Sequence, residues 1–218
     1  MLVNERKNMV NRKNDIKYHK ILKQASIFAY HDEKDKNDGK KPPVGYRVIE
    51  SFNDKKTGLQ AKVLFNGKDI IIAYRGTDNF LSRDILNDLV MVRGDIPEQA
   101  TMALSLYDKY AGNKKHIPVT VTGHSLGGSL AEIVSGIRGG VAVTFNAYGV
   151  RDMFKSGIKL KEDNIVNYVN EKDFITMVNG QNHIGEIYAI YEKPGNAGSH
   201  EAESIGDLSQ RKMRTPEE

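Results

Sequence analysis

The chain has 218 residues, of which 39% are hydrophobic and 28% are charged, and its formal net charge is +4 at pH 7. These values are typical of one globular domain with a substantial core. The absence of cysteine excludes disulfides, thiol catalysis and cysteine-based zinc sites. No stretch reaches the roughly 18–20 apolar residues of a membrane span, so we do not expect an integral membrane protein.

The positive charge is concentrated at the N-terminus. Residues 1–20 contain six basic and two acidic side chains, and the rest of the chain is neutral in sum, which argues against nucleic-acid binding. We interpret residues 1–17 as a basic arm, either a solvated leader to the first helix or a segment attracted to anionic lipid. The arm has no apolar stretch, so we expect no secretory signal peptide. The expected location is cytoplasmic, or outside the cell by a route without a cleaved signal.

The periodicity of apolar residues predicts an α/β domain that opens with antiparallel strands. A helix is predicted at 18–30, and strands at 47–52, 59–65 and 70–74, the last two joined by a tight turn. Further helices are predicted at 82–92 and beyond Pro97, with strands at 119–122, 141–145, 165–169 and 187–191. This succession favours a mostly parallel central sheet with helices on both faces and an antiparallel N-terminal edge. We find one domain, at residues 18–218.

The strongest motif is Gly-His-Ser-Leu-Gly at 123–127, directly after the β-branched strand at 119–122. A serine that projects from so tight a turn needs strained backbone angles and neighbours two positions away with almost no side chain. Gly123 and Gly127 meet that requirement. The pattern predicts a nucleophile elbow with Ser125 at a helix N-terminus, where backbone N–H groups favour negative charge.

A serine hydroxyl becomes a useful nucleophile only with a histidine base, which an acidic side chain orients. In a parallel sheet such groups lie on loops beyond the C-terminal ends of the strands. Asp173, shortly after the strand at 165–169, is therefore the predicted acid. Glu171 is a weaker candidate, and so is Asp163, because it precedes that strand.

Two histidines follow Asp173 and compete for the role of base. His200 comes after the last predicted strand and a glycine-containing segment that can carry it back over the sheet, so we predict it as the base. His183 leads into a strand and is expected at that strand's wrong end. His124, beside the serine, is expected to pack or to form hydrogen bonds locally.

The tetrahedral intermediate also needs donors for its oxyanion. One predicted donor is the backbone N–H of Leu126, the residue after the nucleophile. The other is Thr77, in the loop after the strand at 70–74, which offers both a backbone N–H and a hydroxyl. A plain turn at the end of that strand is the alternative interpretation.

These motifs resemble the class 3 lipase family, the fungal triacylglycerol lipase-like branch of the α/β-hydrolase superfamily. The resemblance lies in Tyr-Arg-Gly-Thr at 74–77, Asp-Ile-Leu-Asn-Asp-Leu at 84–89, the serine motif at 119–128 and the segments around 143–146 and 167–173. It implies an α/β-hydrolase fold and a Ser-His-Asp triad. It also implies that residues 80–92 occupy the place of a lid. A lid in this position would cover an acyl pocket with the apolar side chains of Phe80, Leu81, Ile85 and Leu89. The alternative interpretation of this segment is an ordinary helix of the core.

The predicted function is hydrolysis of lipid carboxylic esters, by a lipase or phospholipase that needs no metal or organic cofactor. The alternatives are an acyltransferase and a catalytically inactive binding protein with a hydrolase fold. The expected partners are a lipid or other ester substrate and a peripheral membrane surface. A housekeeping role and a role as a toxin or effector both stay open, and an effector would have an inhibitor protein as its partner.

Overall fold

The computed structural model describes residues 12–32, 38–77, 98–113, 117–154, 158–170, 172–173, 182–191 and 202–214. The long α-helices within them are α1 (Ile16–Phe28), α2 (Glu98–Asn113) and α3 (Leu126–Arg138). The strands are β1 (Arg47–Asn53), β2 (Gln60–Phe65), β3 (Ile70–Tyr74), β4 (Val119–His124), β5 (Val141–Phe145), β6 (Ile165–Asn170), β7 (Glu186–Ile190) and β8 (Lys212–Met213). Single 3₁₀ turns lie at Arg151–Met153, Ala202–Ser204 and Leu208–Gln210.

The strands form one eight-stranded sheet in which spatial order follows chain order from β1 to β8. The pairs β1–β2 and β2–β3 are antiparallel, the pairs from β3 to β7 are parallel, and β8 returns antiparallel to β7. The predicted mostly parallel sheet with an antiparallel N-terminal edge is thus confirmed. Since β3 to β7 run in one direction, the loops after them all emerge on the same side.

Helices cover both faces of the sheet, because successive side chains of β3 point to opposite faces and are apolar on both. Ile70, Ile72 and Tyr74 belong to the buried cluster that contains the apolar side chains of α2 and α3. Ile71 and Ala73 alternate with them and belong to the cluster that contains α1. A central strand that is apolar on both faces is what a parallel sheet between two helical layers requires. Within the described ranges, no helix is long and apolar enough to cross a membrane.

A buried polar network holds the start of α1 near the N-terminal end of β3. Asp69, just before β3, accepts hydrogen bonds from the hydroxyls of Tyr18 at 3.0 Å and Tyr46 at 2.8 Å. Arg12 forms an ion pair with the same carboxylate at 3.0 Å. Asp15 caps the helix by accepting from the backbone N–H groups of its first turn. Burial of an acceptor with this many donors fixes the start of α1 against the sheet.

Candidate active site

Ser125 stands on strained backbone between β4 and α3. Its φ of 58° and ψ of −129° lie outside the regions that side chains ordinarily adopt. Among the described residues, only Ser125 and Asn146 have a positive φ without being glycine. Such strain persists only where the surroundings enforce it, and it is concentrated at functional sites. The serine is 4% exposed at the C-terminal end of β4.

The flanking glycines allow the turn to be this tight. A Cβ on Gly123 would lie 2.3 Å from the backbone of Gly127, and a Cβ on Gly127 would lie 2.2 Å from the carbonyl oxygen of Tyr74. Both contacts are with backbone, which has no room to move aside. The sequence pattern and the geometry agree that these two positions need glycine.

The loop after β3 runs directly beside the serine. A Cβ added to Gly76 would meet the Ser125 Cβ at 3.3 Å and the carbonyl oxygen of His124 at 2.7 Å. Thr77 follows at once and is half-buried. Leu126 is the first residue of α3, so its N–H belongs to the helix turn whose N–H groups have no acceptor within the helix. Leu126 thus directly follows the serine, and Thr77 follows the glycine that packs against it.

His124 packs locally, as expected from the sequence. Its Nδ1 lies 3.0 Å from the hydroxyl of Tyr30, a residue that follows α1. The guanidinium of Arg75 lies 5.7 Å from the centre of the Tyr30 ring. This contact links α1, the loop after β3 and the serine turn into one packed unit.

Asp173 is fully buried in the turn that follows β6. Its backbone N–H donates to the carbonyl of Asn170 at 3.0 Å, which closes the turn. Since β4 and β6 are parallel members of one sheet, Asp173 and Ser125 lie beyond the same ends of the strands, with β5 between them. Asp163 is exposed before β6, at the other end of that strand. Glu171 lies outside the described residues.

His183 lies away from the serine. It precedes β7, and the parallel arrangement of β4 and β7 puts it at the opposite ends of the strands. There its Nδ1 is 2.8 Å from Oε2 of Glu132, both side chains are fully buried, and Ile184 N–H donates to the same carboxylate. This pair fastens the start of β7 to α3. One local signal for this pair was visible in the sequence: Glu132 is the only acidic residue in a helix of mostly small and apolar residues.

Asn146, at the end of β5, is the residue that the sequence interpretation missed. Its φ is 46° and its side chain is fully buried. Its Nδ2 lies 3.4 Å from Oδ2 of Asp173, and its Oδ1 accepts from the N–H of Asn170 at 2.9 Å. The available signal was an asparagine directly after a predicted strand, since asparagine tolerates the left-handed region better than most side chains.

The predicted base His200 and the predicted lid residues Phe80, Leu81, Ile85 and Leu89 lie outside the described residues. Of the predicted site residues that the structure describes, Ser125, Asp173, Thr77 and Leu126 all lie beyond the C-terminal ends of parallel strands. In the described ranges, no group of three or more acidic or histidine side chains has a metal-binding arrangement.

A strained serine between a parallel strand and a helix, with an acidic side chain after a strand two positions along the sheet, is an arrangement typical of the α/β-hydrolase fold. A fungal lipase bound to an inhibitor has this fold with a TM-score of 0.56 and 16% identity over 80% of both chains. For lipase II from Rhizopus niveus, the TM-score is 0.54 at 18% identity, over 92% of this chain and 86% of that one. At these identities the likeness concerns the fold alone.

Residues 25–210 match the family model of the Tle-like phospholipase domain, described as phospholipase-like, and the chain belongs to that family. The predicted membership of a lipase-like α/β-hydrolase family is confirmed. The extracellular phospholipase A1 of Serratia liquefaciens is 36% identical over 104 residues. That match covers 47% of this chain and 31% of the relative, so the chain spans about a third of the length of that protein.

Proposed function

We propose that this chain is a phospholipase that hydrolyses carboxylic ester bonds through an acyl-enzyme on Ser125. The observation that carries the proposal is the strained serine turn, with φ 58° and glycine contacts that leave no room for a side chain on either flank. Backbone strain of this kind costs about 1–3 kcal/mol. In a turn without a chemical role, replacing the serine by glycine would remove this cost, so the retained serine indicates a function for its hydroxyl. The family of the chain supports a phospholipid as the substrate class.

The proposed reaction has two halves. Ser125 Oγ attacks the ester carbonyl while His200 takes its proton, and Asp173 orients the resulting imidazolium. The N–H of Leu126 and the donors of Thr77 stabilise the oxyanion. The imidazolium then gives its proton to the departing alcohol. In the second half, His200 takes a proton from water as the water oxygen adds to the acyl carbon, and it returns that proton to Ser125 Oγ as the serine–acyl bond breaks and the fatty acid leaves.

The relation to a lipid surface is part of the same proposal. The apolar side chains at 80–92 would contact a membrane when the substrate binds, and the basic arm at 1–17 would add weak attraction to anionic lipid. The Serratia relative is by its name an extracellular phospholipase A1, and that supports action on phospholipids outside the producing cell. An inhibitor protein would then protect the producer.

The test is hydrolysis of vesicles of phosphatidylcholine and phosphatidylglycerol, with released fatty acid and lysolipid identified by mass spectrometry. We expect Ser125→Ala to lower the rate by at least about 10⁴-fold and to abolish labelling by a fluorophosphonate. Ser135→Ala is the matched control, because Ser135 is a buried serine of α3 whose hydroxyl donates to the Gly140 carbonyl, far from the turn. Unchanged hydrolysis by Ser125→Ala would contradict the proposal.

A further inference from the structure

We propose that Asn146 is a positioning residue for the acid of the triad. Its side-chain amide fixes the carboxylate of Asp173 and ties the turn after β6 to the end of β5. This inference rests on the proposed function, since it presupposes that Asp173 orients the base. It concerns a residue outside the proposed triad.

The first observation is the backbone of Asn146. Its φ of 46° makes it, with Ser125, one of the two left-handed residues other than glycine in the described part of the chain. Glycine adopts this conformation without strain, so the backbone alone gives no reason for asparagine here. A side chain that is kept on strained backbone implies a role for its amide.

The second observation is where that amide points. Oδ1 accepts from the backbone N–H of Asn170 at 2.9 Å, and Nδ2 lies 3.4 Å from Oδ2 of Asp173. A backbone N–H can only donate, so the amide oxygen must face Asn170 and the NH₂ group must face the carboxylate. The network therefore determines the orientation of the amide, and the bond to Asp173 follows from it.

The third observation is burial. Asn146 and Asp173 are both fully buried, and Asn170 is 2% exposed. A buried carboxylate needs donors, and a bond from an ordered amide is stronger in such surroundings than in water. A donor on one carboxylate oxygen also restricts rotation about the Cβ–Cγ bond of Asp173. The direction in which the carboxylate can meet an imidazole is thereby restricted.

The fourth observation is the link to the serine. Asn146 follows Phe145, whose carbonyl accepts from the N–H of Ser125 at 3.0 Å. On its other side, the N–H of Asn146 donates to the carbonyl of Tyr168 in β6 at 2.8 Å. The peptide group between Phe145 and Asn146 thus joins the serine turn to β6, and the side chain of Asn146 extends that link to the carboxylate of Asp173.

Two substitutions distinguish the effect of the side-chain amide of Asn146 from the effect of its backbone conformation. Asn146→Gly adopts the same φ without strain and removes both side-chain hydrogen bonds. Asn146→Asp keeps the size and the acceptor for Asn170, but it replaces the donor by a carboxylate oxygen beside Asp173. A second carboxylate beside Asp173 disfavours the state in which both are ionised, so the pair keeps a shared proton to higher pH than a single carboxylate would. Because Asn146→Asp keeps an acceptor for the N–H of Asn170, it tests the amide if Asn146→Gly does not fold.

We expect both variants to lower kcat on a soluble p-nitrophenyl ester by roughly 10–100-fold, because a carboxylate that is no longer held in place misorients the base. KM should change far less, because the residues that contact the substrate are unchanged. For Asn146→Asp we also expect the acid limb of the kcat/KM profile to move upward by about one pH unit, since the pair must lose its shared proton. A residue that serves stability alone would not move this profile.

The matched control is Thr144→Val. Thr144 is buried on the same strand and donates to Oδ1 of Asn167 at 2.6 Å, so its loss weakens the fold without touching Asp173. Thermal unfolding measures stability in all variants, and Thr144→Val should keep the wild-type kcat and pH profile. Similar loss of kcat in Thr144→Val would attribute the effect to stability and overturn the inference.

Asp173→Asn separates this inference from the proposed function. If Asp173→Asn keeps wild-type activity, Asp173 is not the acid and the proposed triad fails. If Asp173→Asn is inactive while a folded Asn146 variant keeps kcat within about twofold and the same pH profile, only the role of Asn146 is refuted. Loss of kcat in both, with the shifted profile in Asn146→Asp, supports the inference.

Discussion

Ser125 and Asn146 both have a positive φ, which costs each of them about 1–3 kcal/mol, and both border the candidate site. The surroundings hold them in place by different means. Glycine contacts enforce the serine turn, whereas hydrogen bonds to Tyr168 and Asn170 enforce the asparagine. At the scale of single residues, strain is thus concentrated where the proposed chemistry needs fixed directions.

The first residue-scale prediction concerns the base. We expect His200→Ala to lower kcat by at least about 10³-fold, because the serine loses its proton acceptor. We expect His183→Ala to keep the activity of the folded protein but to reduce the free energy of unfolding by about 1–3 kcal/mol, because the buried Glu132 loses a donor. Ester hydrolysis and urea unfolding measure the two effects.

The opposite pattern would change the assignment of the base. An active His200→Ala and a folded but inactive His183→Ala would make His183 the base, although Glu132 and the N-terminal end of β7 hold it away from the serine.

Single residues differ in how far the sequence predicts them. The serine turn was predictable because everything it needs lies within a few positions of Ser125. The role of Asn146 was not, because its partners are 24 and 27 residues further along the chain. Only the pairing of β5 with β6 brings them together. The buried pair of His183 and Glu132, 51 residues apart, was unpredictable for the same reason.

At the scale of elements, the site depends on how closely the loop after β3 approaches the serine turn. Gly76 lies against His124, Ser125 and the hydroxyl of Tyr30, so this loop cannot shift without moving the turn. The contact joins two segments whose roles were predicted independently, the loop after β3 as a source of oxyanion donors and the turn at Ser125 as a nucleophile elbow.

Gly76→Ala tests this contact. The added Cβ would lie 2.7 Å from the carbonyl oxygen of His124, so the loop must move away and carry Thr77 with it. We expect kcat to fall by about 10–10³-fold, up to the cost of one oxyanion donor. Gly112→Ala in α2 is the control, because its Cβ meets no described atom within 4 Å. It should keep full activity and gain up to about 1 kcal/mol of stability from helix propensity. Equal activity of the two variants would contradict the prediction.

Most strands were predictable from the sequence, but β8 was not predicted. The strands from β2 to β7 are β-branched or alternating runs bounded by turn residues, and their predicted bounds agree with the structure to within two residues. β8 has two exposed residues, Lys212 and Met213, which is too few for any periodicity. Its pairing with β7 is decided by tertiary contacts alone. The helix predicted at 82–92 lies outside the described residues.

At the scale of the whole molecule, the two ends of the parallel strands have different roles. The C-terminal ends bring together the candidate catalytic groups, while the N-terminal ends carry buried polar contacts such as Asp69 with its tyrosines. Near these contacts His19 is buried between α1 and β6. Its Nε2–H donates to the Arg12 carbonyl at 3.0 Å, and its Nδ1 accepts from the Tyr168 hydroxyl at 2.8 Å, which is the pattern of a neutral imidazole.

The burial of His19 predicts how stability depends on pH. Desolvation lowers the pKa of this imidazole to about 4 from its usual 6.5. Between these values the unfolded chain binds a proton that the folded chain does not, so the free energy of unfolding falls as pH falls from about 6.5 towards 4. The full contribution is about 3 kcal/mol. We expect urea unfolding at pH 7, 6 and 5 to show a shallower pH slope in His19→Gln than in the wild type. Identical slopes would contradict this.

The sheet grows strand by strand in the order in which a ribosome releases the chain. A nascent polypeptide that has emerged as far as β5 already possesses the serine turn, but neither Asp173 nor His200 has left the tunnel. On the proposed mechanism, such an intermediate is inert towards the lipids of the cell that makes it. The proposed triad is complete only after the segments that follow β6 and β7 have been synthesised, so hydrolysis would begin after that point.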